Sequence, residues 1–417
     1  MSESHVRADG STLRVRRPPR ARPADAARVT RAEINLAHLR HNLRELEASM
    51  AADGEAARRP PAQVWAVLKA DAYGHGASVL GVHLERAGVD GICVALLEEG
   101  IELRQAGVRC PILVMGGYYG RYRDGLEALV EHELSPVVYD PVQLERLATA
   151  VRFVGGAPHG VHLKVDTGMG RLGCREDEFL PLLRALRRHP ELRLDALMTH
   201  LACADEPDPA ITHDQLRRFD AAQELVRRQG LRPVLRHAAN SAAALRFPDA
   251  QLDLVRPGIA LHGVHPCPTV ASSGSRVPKL KPVMQVLTEI VALRDLRAGE
   301  AIGYGHTWRA ERPSRIATLP IGYADGFSRA LSNRGHVLLH GQRVPIAGSV
   351  SMDLTMIDVT DIADARLRDE VVVLGEQRGR AGEDRIDVAE WAALEGTITW
   401  ECYTGISRRV PRFYRHP

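Results

Sequence analysis

The chain has 417 residues, of which 45% are apolar, and a formal net charge of +3 at neutral pH. This length predicts two domains, and the nearly balanced charge excludes a basic surface of the kind that binds nucleic acid or anionic membranes. No apolar run is long enough to span a bilayer. Six scattered cysteines without a C-x-x-C pair predict neither a disulfide framework nor a metal site, and they fit a reducing cytoplasm.

Residues 1–28 are rich in Arg, Pro and Ala and lack the apolar core of a secretory signal, so we predict a disordered basic tail. A transit peptide is the alternative interpretation, against which Glu3, Asp9 and Asp25 count. The following stretch, VTRAEINLAHLRHNLRELEASM, predicts a short strand and then an amphipathic helix.

Short apolar runs then alternate with helix-like segments such as LLEEGIELRQAG. Parallel strands buried on both faces read as continuous apolar runs, and eight of them predict a (β/α)8 barrel over residues 29–272. A doubly wound open sheet is permitted by the same alternation. The eight runs are VWAVLK, GICVAL, PILVM, SPVVY, GVHLKV, LDALMTH, PVLRH and LDLVRPG.

The pattern changes at HPCPTVASSGSRVPK, which has the Pro and Ser content of a linker. Beyond it the signals are strand-like and closely spaced, and DVAEWAAL predicts one helix. The expected fold class is therefore α/β, with an N-terminal (β/α)8 barrel followed by a mostly β C-terminal domain at 273–417.

Catalytic groups of such barrels lie at the carboxyl ends of the strands. Lys69 closes the first run, where burial would lower its pKa and suit an amine that forms an imine. A strand-end lysine whose ammonium reaches water is the alternative. Polar groups also follow the fifth to eighth runs, at Lys164 and Arg171, His200, Asn240 and Ser241, and Arg256.

Ser241 and the backbone N–H groups near Gly258 and Ile259 follow the seventh and eighth runs, where barrels frequently bind phosphate. A phosphate anchor opposite an imine-forming lysine suggests pyridoxal 5'-phosphate (PLP). The alternative for NSAA is a helix N-cap, and both roles can coexist.

The stretch KVDTGMGRLG places Gly168, Gly170 and Gly173 at the spacing G-x-G-x-x-G. A dinucleotide fingerprint would have to open a Rossmann unit, whereas this stretch follows the fifth of eight strands. We expect instead a tight turn that aims Arg171 inward.

The chain resembles the alanine racemases, the fold-type III PLP enzymes, from about Val29 to Arg412. The resemblance is carried by AVLKADAYGHG, VALLEEGIELRQAG, KVDTGMGRLG, MTHLACAD, HAANSAA, VRPGIALHG, GYGHTW, IGYADGFSRAL and SMD. It implies a cytoplasmic homodimer with shared active sites that interconverts L-alanine and D-alanine for peptidoglycan.

The resemblance also implies residue roles. Lys69 would be the Schiff-base lysine and one acid/base group, and Tyr304 the other, because racemisation needs a base on each face of the α-carbon. Tyr73, Ser241, Gly258 and Ile259 would bind the phosphate, with Asn240 and His200 also at the cofactor. Arg256 would bind the pyridine nitrogen, Arg171 the phenolate oxygen and the substrate carboxylate, and Lys164 would be a lysine that can be carbamylated. Met352 and Asp353 would border the substrate from the partner subunit, and Tyr323 and Arg329 would line the access corridor.

Three positions depart from the family pattern. Arg408 stands where a Tyr is common near the phosphate, Ser351 where many members have Cys, and Ser349 where an Arg of the corridor is common. These changes leave open a broader amino-acid racemase, for instance one acting on serine. A PLP decarboxylase of basic amino acids and a non-catalytic PLP carrier are further alternatives, and the predicted β domain carrying Tyr304 counts against the carrier.

Overall fold

The computed structural model describes residues 27–50, 60–120, 123–267 and 277–415. The predicted disordered tail therefore lies almost entirely outside the described residues. The same holds for most of the predicted linker and for the domain boundary expected between residues 272 and 273, so these boundaries stay predictions.

The strands are β1 Arg31–Asn35, β2 Gln63–Val67, β3 Gly91–Val94, β4 Ile112–Val114, β5 Leu134–Val138, β6 His159–Lys164, β7 Leu192–Met198, β8 Leu235–His237, β9 Leu254–Val255, β10 Met284–Glu289, β11 Ala292–Leu296, β12 Ala301–Ile302, β13 Trp308–Arg309, β14 Ser314–Leu319, β15 His336–Leu339, β16 Gln342–Pro345, β17 Thr355–Asp358, β18 Glu370–Gly379, β19 Gly382–Ile386 and β20 Arg412–Arg415.

The helical segments are α1 Leu36–Met50, α2 Lys69–Gly74, α3 Ala77–Ala87, α4 Leu97–Ala106, α5 Arg123–Glu131, α6 Pro141–Val154, α7 Glu176–Leu186, α8 Ala210–Arg228, α9 Ser241–Arg246, α10 Pro248–Gln251, α11 Val388–Glu395 and α12 Thr399–Gly405. Short 3-10 helices span Ile259–His262, Tyr304–His306, Tyr323–Asp325 and Arg329–Leu331. None of the helices in this described part of the chain is long and apolar enough to cross a membrane.

Strands β2 to β9 form one parallel sheet in the order β8-β7-β6-β5-β4-β3-β2-β9. The first and last strands of this order meet, because Asp253 N–H donates to the Arg236 carbonyl at 3.1 Å and Arg256 N–H donates to the Ala239 carbonyl at 3.0 Å. The sheet thus closes into a barrel. All eight apolar runs form its strands, which confirms the predicted (β/α)8 barrel and rules out the open sheet.

The second domain is mostly β, as predicted. Its largest sheet has the order β16-β15-β18-β10-β1-β20, with β19 paired to β18, and a three-stranded sheet has the order β11-β14-β17. Strand β1 falls within the range predicted for the barrel, yet it pairs with β10 and β20. The N-terminal strand therefore belongs to the second domain, and the barrel lies between two parts of that domain in the sequence.

Candidate active site

A cavity of about 330 Å³ opens at the carboxyl end of the barrel strands. The ten barrel residues expected to serve the cofactor or to assist it all line this cavity. They are Lys69, Tyr73, Lys164, Arg171, His200, Asn240, Ser241, Arg256, Gly258 and Ile259. Trp400 of α12 and Asp205 also line it and were missed from the sequence.

The segment that follows β2 is a left-handed turn. Four consecutive non-glycine residues, from Ala70 to Tyr73, have φ of 53° to 54°. This left-handed conformation costs about 1–2 kcal/mol for each of these residues. Local bonds offset this strain, since Glu99 accepts from Ala70 N–H at 2.6 Å and His75 Nδ1–H donates to the Tyr73 carbonyl at 2.9 Å. The turn carries Lys69 and Tyr73 into the cavity.

Three groups converge at the start of the Ile259–His262 3-10 helix. The N–H of Gly258 donates to Ser241 Oγ at 2.8 Å. The Tyr73 hydroxyl lies over Gly258 so closely that a β-carbon there would be 2.9 Å from Tyr73 Cζ. Asn240 is the N-cap of α9, accepting from Ala243 N–H at 3.0 Å. The capping role thus falls to Asn240, and Ser241 Oγ turns toward Gly258.

The cavity is strongly cationic. Burial, and then the charge of Arg171, lowers the pKa of Lys69, while Glu99 opposes the shift to a smaller degree. Burial and the charges of Arg256 and Arg171 lower the pKa of Lys164 to about 8. Such a cluster suits a ligand that carries several negative charges.

Arg256 is buried and its guanidinium is held by two histidines. NH1 donates to His237 Nδ1 at 2.5 Å, and NH2 lies 3.3 Å from His200 Nδ1. Because arginine only donates, both Nδ1 atoms accept and both rings carry their proton on Nε2. Accordingly, burial and the charge of Arg256 place the pKa of His200 and of His237 well below the ordinary value.

A third histidine extends this hydrogen-bonded group into the barrel, because His237 Nε2 lies 3.0 Å from the Nδ1 atom of the buried His162. Both histidines stand inside the runs GVHLKV and PVLRH, and the sequence predicted no role for them. The signal that could have found them is a polar ring within an otherwise apolar barrel strand, since a buried polar group requires a partner.

The loop after β6 is a tight turn closed on its own strand end. The N–H groups of Gly168 and Gly170 donate to the Asp166 carboxylate at 2.9 Å, with φ of 136° and 67°. Cys174 N–H donates to the Lys164 carbonyl at 2.8 Å. The glycines thus serve the turn that carries Arg171 to the cavity, as expected.

The candidates in the second domain are not part of this chain's own cavity. Tyr304, Tyr323, Arg329, Met352 and Asp353 are absent from the described residues that line it. Tyr304 is 75% exposed and Met352 52% exposed. These side chains therefore face outward in the single chain.

Arg408 is exposed and is not among the described residues that line the cavity, whereas Trp400 is. Within the described part of the chain, Arg408 therefore does not border the cavity of its own subunit.

Family models for the N-terminal and C-terminal domains of alanine racemases match residues 34–266 and 283–414. The alanine racemase of Sorangium cellulosum is 59% identical, covering 94% of this chain and all of its own length. That of Symbiobacterium thermophilum is 42% identical, covering 94% and 98%. The solved alanine racemase of Streptomyces coelicolor A3(2) is 36% identical with a TM-score of 0.82, covering 94% and 100%. That of Clostridium difficile 630 is 32% identical with a TM-score of 0.83, covering 94% and 96%.

Proposed function

The chain belongs to the alanine racemase family, and on that premise we propose that it interconverts L-alanine and D-alanine with Lys69 and Tyr304 as the two proton-carrying groups. The observation that carries the proposal is the cationic cavity in which Lys69, with its lowered pKa, stands beside Arg171. The product would supply D-alanine for peptidoglycan. We also infer a cytoplasmic location, to which the free cysteines among the described residues are suited.

The residues present fit PLP. Tyr73, Ser241 and the backbone of Gly258 and Ile259 would hold its phosphate, and Asn240 fixes the start of the helix that carries Ser241. When bound, PLP withdraws electrons from the α-carbon of the attached amino acid and so makes its proton acidic.

The remaining polar groups of the cavity have distinct tasks. Arg171 would bind the substrate carboxylate and the cofactor's phenolate oxygen, which fixes the α-carbon relative to Lys69. Arg256 would bind the pyridine nitrogen, and it keeps its charge at neutral pH because burial lowers its pKa only to about 10. A permanent positive charge there disfavours protonation of that nitrogen and limits side reactions such as transamination.

Lys69 is suited to exchange a proton with the α-carbon near neutral pH, since burial lowers its pKa. The second base must act from the opposite face. The described lining of the cavity contains no tyrosine besides Tyr73, whose hydroxyl would hold the phosphate. We assign that role to the partner subunit's Tyr304.

Lys164 would be carbamylated. With a pKa of about 8, a useful fraction of its amine is neutral at physiological pH and free to attack carbon dioxide. The neutral amine forms an N–C bond with carbon dioxide and releases one proton, so the side chain changes from neutral to negative; starting from the ammonium form, two protons are released in all. The carbamate would then neutralise and orient Arg171.

We infer a homodimer from the split distribution of the proposed site residues. Tyr304, Tyr323, Met352 and Asp353 lie on the second domain with large exposed surfaces, and around the barrel mouth Tyr119 is also exposed. A second copy docked on this face would bring Tyr304, Met352 and Asp353 to the neighbouring cavity. Tyr323 and Arg329 would then border the path by which alanine enters.

The first experiment follows α-proton exchange and chirality in D2O with purified protein and PLP, using L-alanine, L-serine and L-lysine separately. We expect rapid exchange with inversion for alanine. Comparable turnover of serine or lysine would show a broader racemase. Bound PLP without exchange for any of the three would refute the proposed activity.

The second experiment tests the shared site by mixing two inactive variants, Lys69→Ala and Tyr304→Phe. A mixed dimer has one intact site only if Lys69 and Tyr304 come from different subunits. Random exchange of subunits should then restore about a quarter of the wild-type activity. No recovery, although mixed dimers form, would place both bases in one chain.

A further inference from the structure

Tyr304 lies in a turn whose backbone is left-handed on both sides of this residue. Gly303 and Gly305 have φ of 71°, and His306 has φ of 47°. The glycines on both sides permit this left-handed backbone, and Tyr304 is 75% exposed, so its own chain covers only a small part of the phenol. The position of Tyr304 must therefore be fixed through its backbone.

A buried serine supplies that support. Ser349 is 6% exposed, and its hydroxyl donates to the Tyr304 carbonyl at 3.2 Å. The same oxygen lies 3.2 Å from Thr307 Oγ1. Since the Ser349 proton is used on the carbonyl, the Thr307 hydroxyl is the donor of this second bond.

The chain of bonds ends on a second turn. Asn333 Nδ2 donates to Thr307 Oγ1 at 3.2 Å, while Asn333 Oδ1 accepts from Gly348 N–H at 2.6 Å. Val350 N–H donates to Ser332 Oγ at 2.9 Å. The residues on both sides of Ser349 are thus tied to the loop that follows the 3-10 helix Arg329–Leu331.

We propose that Ser349 is a positioning residue for Tyr304, holding its carbonyl so that the phenol projects into the neighbouring subunit's cavity. The hydrogen bonds of Thr307 and Asn333 hold the Ser349 hydroxyl in the orientation in which it donates to the Tyr304 carbonyl. The inference rests on the proposed function, because it takes Tyr304 as the second proton-carrying group.

The test compares Ser349→Ala with a matched control, Ser314→Ala. Ser314 lies in the same domain, is 7% exposed, and its hydroxyl also donates to a backbone carbonyl, that of Arg312 at 2.8 Å. Both changes remove one buried hydroxyl and one bond to a carbonyl. Thr307→Val, at an exposed position, provides a second route to the same effect if Ser349→Ala does not fold.

The main measurement is the initial rate of α-proton exchange from L-alanine and from D-alanine, with Tyr304→Phe as the reference. We expect Ser349→Ala to slow exchange of the enantiomer that Tyr304→Phe slows more, by about 5- to 10-fold relative to the other. Thr307→Val should shift the ratio of the two exchange rates in the same direction as Ser349→Ala, but by a smaller factor. A purely structural defect would slow both enantiomers equally, and Ser314→Ala should leave their ratio unchanged. An unchanged ratio in Ser349→Ala would overturn the inference.

A second measurement needs no activity. In cofactor-free dimers labelled with 3-fluorotyrosine, the Tyr304 resonance in the ¹⁹F spectrum is identified by its loss in Tyr304→Phe. Release of the turn should broaden or split this signal in Ser349→Ala and not in Ser314→Ala. If Tyr304→Phe itself shows no enantiomer asymmetry, the proposed function fails, and an unchanged Tyr304 signal in Ser349→Ala would separately refute the role of Ser349.

Discussion

Gly258→Ala should weaken PLP binding because there is no room for a methyl group beneath Tyr73. A β-carbon at this position would lie 2.9 Å from Tyr73 Cζ and closer still to the hydroxyl oxygen. Ordinary carbon contacts lie near 3.5–4.0 Å, so the tip of the ring would have to move by about 1 Å. Tyr73 is 5% exposed and packs against His262, with ring centroids 5.0 Å apart, so this movement meets a filled core.

The expected loss is that of one hydrogen bond to a charged group, about 1.5–3 kcal/mol, which corresponds to a roughly 10- to 100-fold higher dissociation constant for PLP. The assay is titration of cofactor-free protein with PLP, followed by quenching of tryptophan fluorescence. Gly405→Ala is the control, because a β-carbon there meets no described atom within 4 Å.

A double-mutant cycle sharpens the test. Tyr73→Phe removes both the hydroxyl proposed to bind the phosphate and the atom that the new methyl group would displace. The effect of Gly258→Ala in the Tyr73→Phe background should therefore be much smaller than in the wild type. Unchanged PLP affinity in Gly258→Ala, or effects that multiply in the double variant, would refute this account of the phosphate site.

Three further predictions follow from the cavity. Lys69→Ala should abolish the absorbance of covalently attached PLP, and retention of that band would show that another amine holds the cofactor. Lys164→Met should stabilise the cofactor-free protein most below pH 8, because there the folded wild type contains a buried ammonium charge. Between about pH 8 and 10.5 the lysine is neutral in the folded state and still charged in the unfolded state, so the free energy of unfolding of the wild type should rise relative to that of the variant. Urea denaturation measures this difference. In buffer free of carbon dioxide, which keeps the amine uncarbamylated, a difference that is independent of pH would mean that the pKa of Lys164 is not lowered. His237→Phe should destabilise the fold by about 1–3 kcal/mol, because a donor of the buried Arg256 loses its acceptor, and a melting temperature equal to the wild type would contradict this.

The barrel and its rim could be predicted because each strand is a local apolar run and the polar residues that line the cavity stand at or just beyond the ends of these runs. Lys69, Lys164 and His200 were found in this way. The location of β1 could not be predicted, since the pattern VTRAEIN indicates a strand without indicating its partners. Pairing in the second domain joins segments at opposite ends of the sequence.

Several details of the site could not be predicted from the sequence. The left-handed turn from Ala70 to Tyr73 contains no glycine before Gly74, so propensity argues against it, and only tertiary contacts such as that of Glu99 make it stable. The contribution of Trp400 to the cavity depends on how the second domain packs on the barrel. In the same way, exposure of Arg408 is decided by packing that a linear motif does not encode.

The placement of β1 also bears on how the chain is made. Ala32 pairs with Val286 on one side and with Arg412 on the other. Strand β1 is therefore synthesised early, but it can pair only after β10 and β20 have been synthesised. The barrel residues can collapse in the meantime, while the second domain is completed only after release of the last strand. Parallel pairing of β1 with β20 also places the first and the last described strand side by side, with Arg415 next to Asn35. A covalent linker that runs back along one short strand could therefore join them, and new termini could be opened elsewhere.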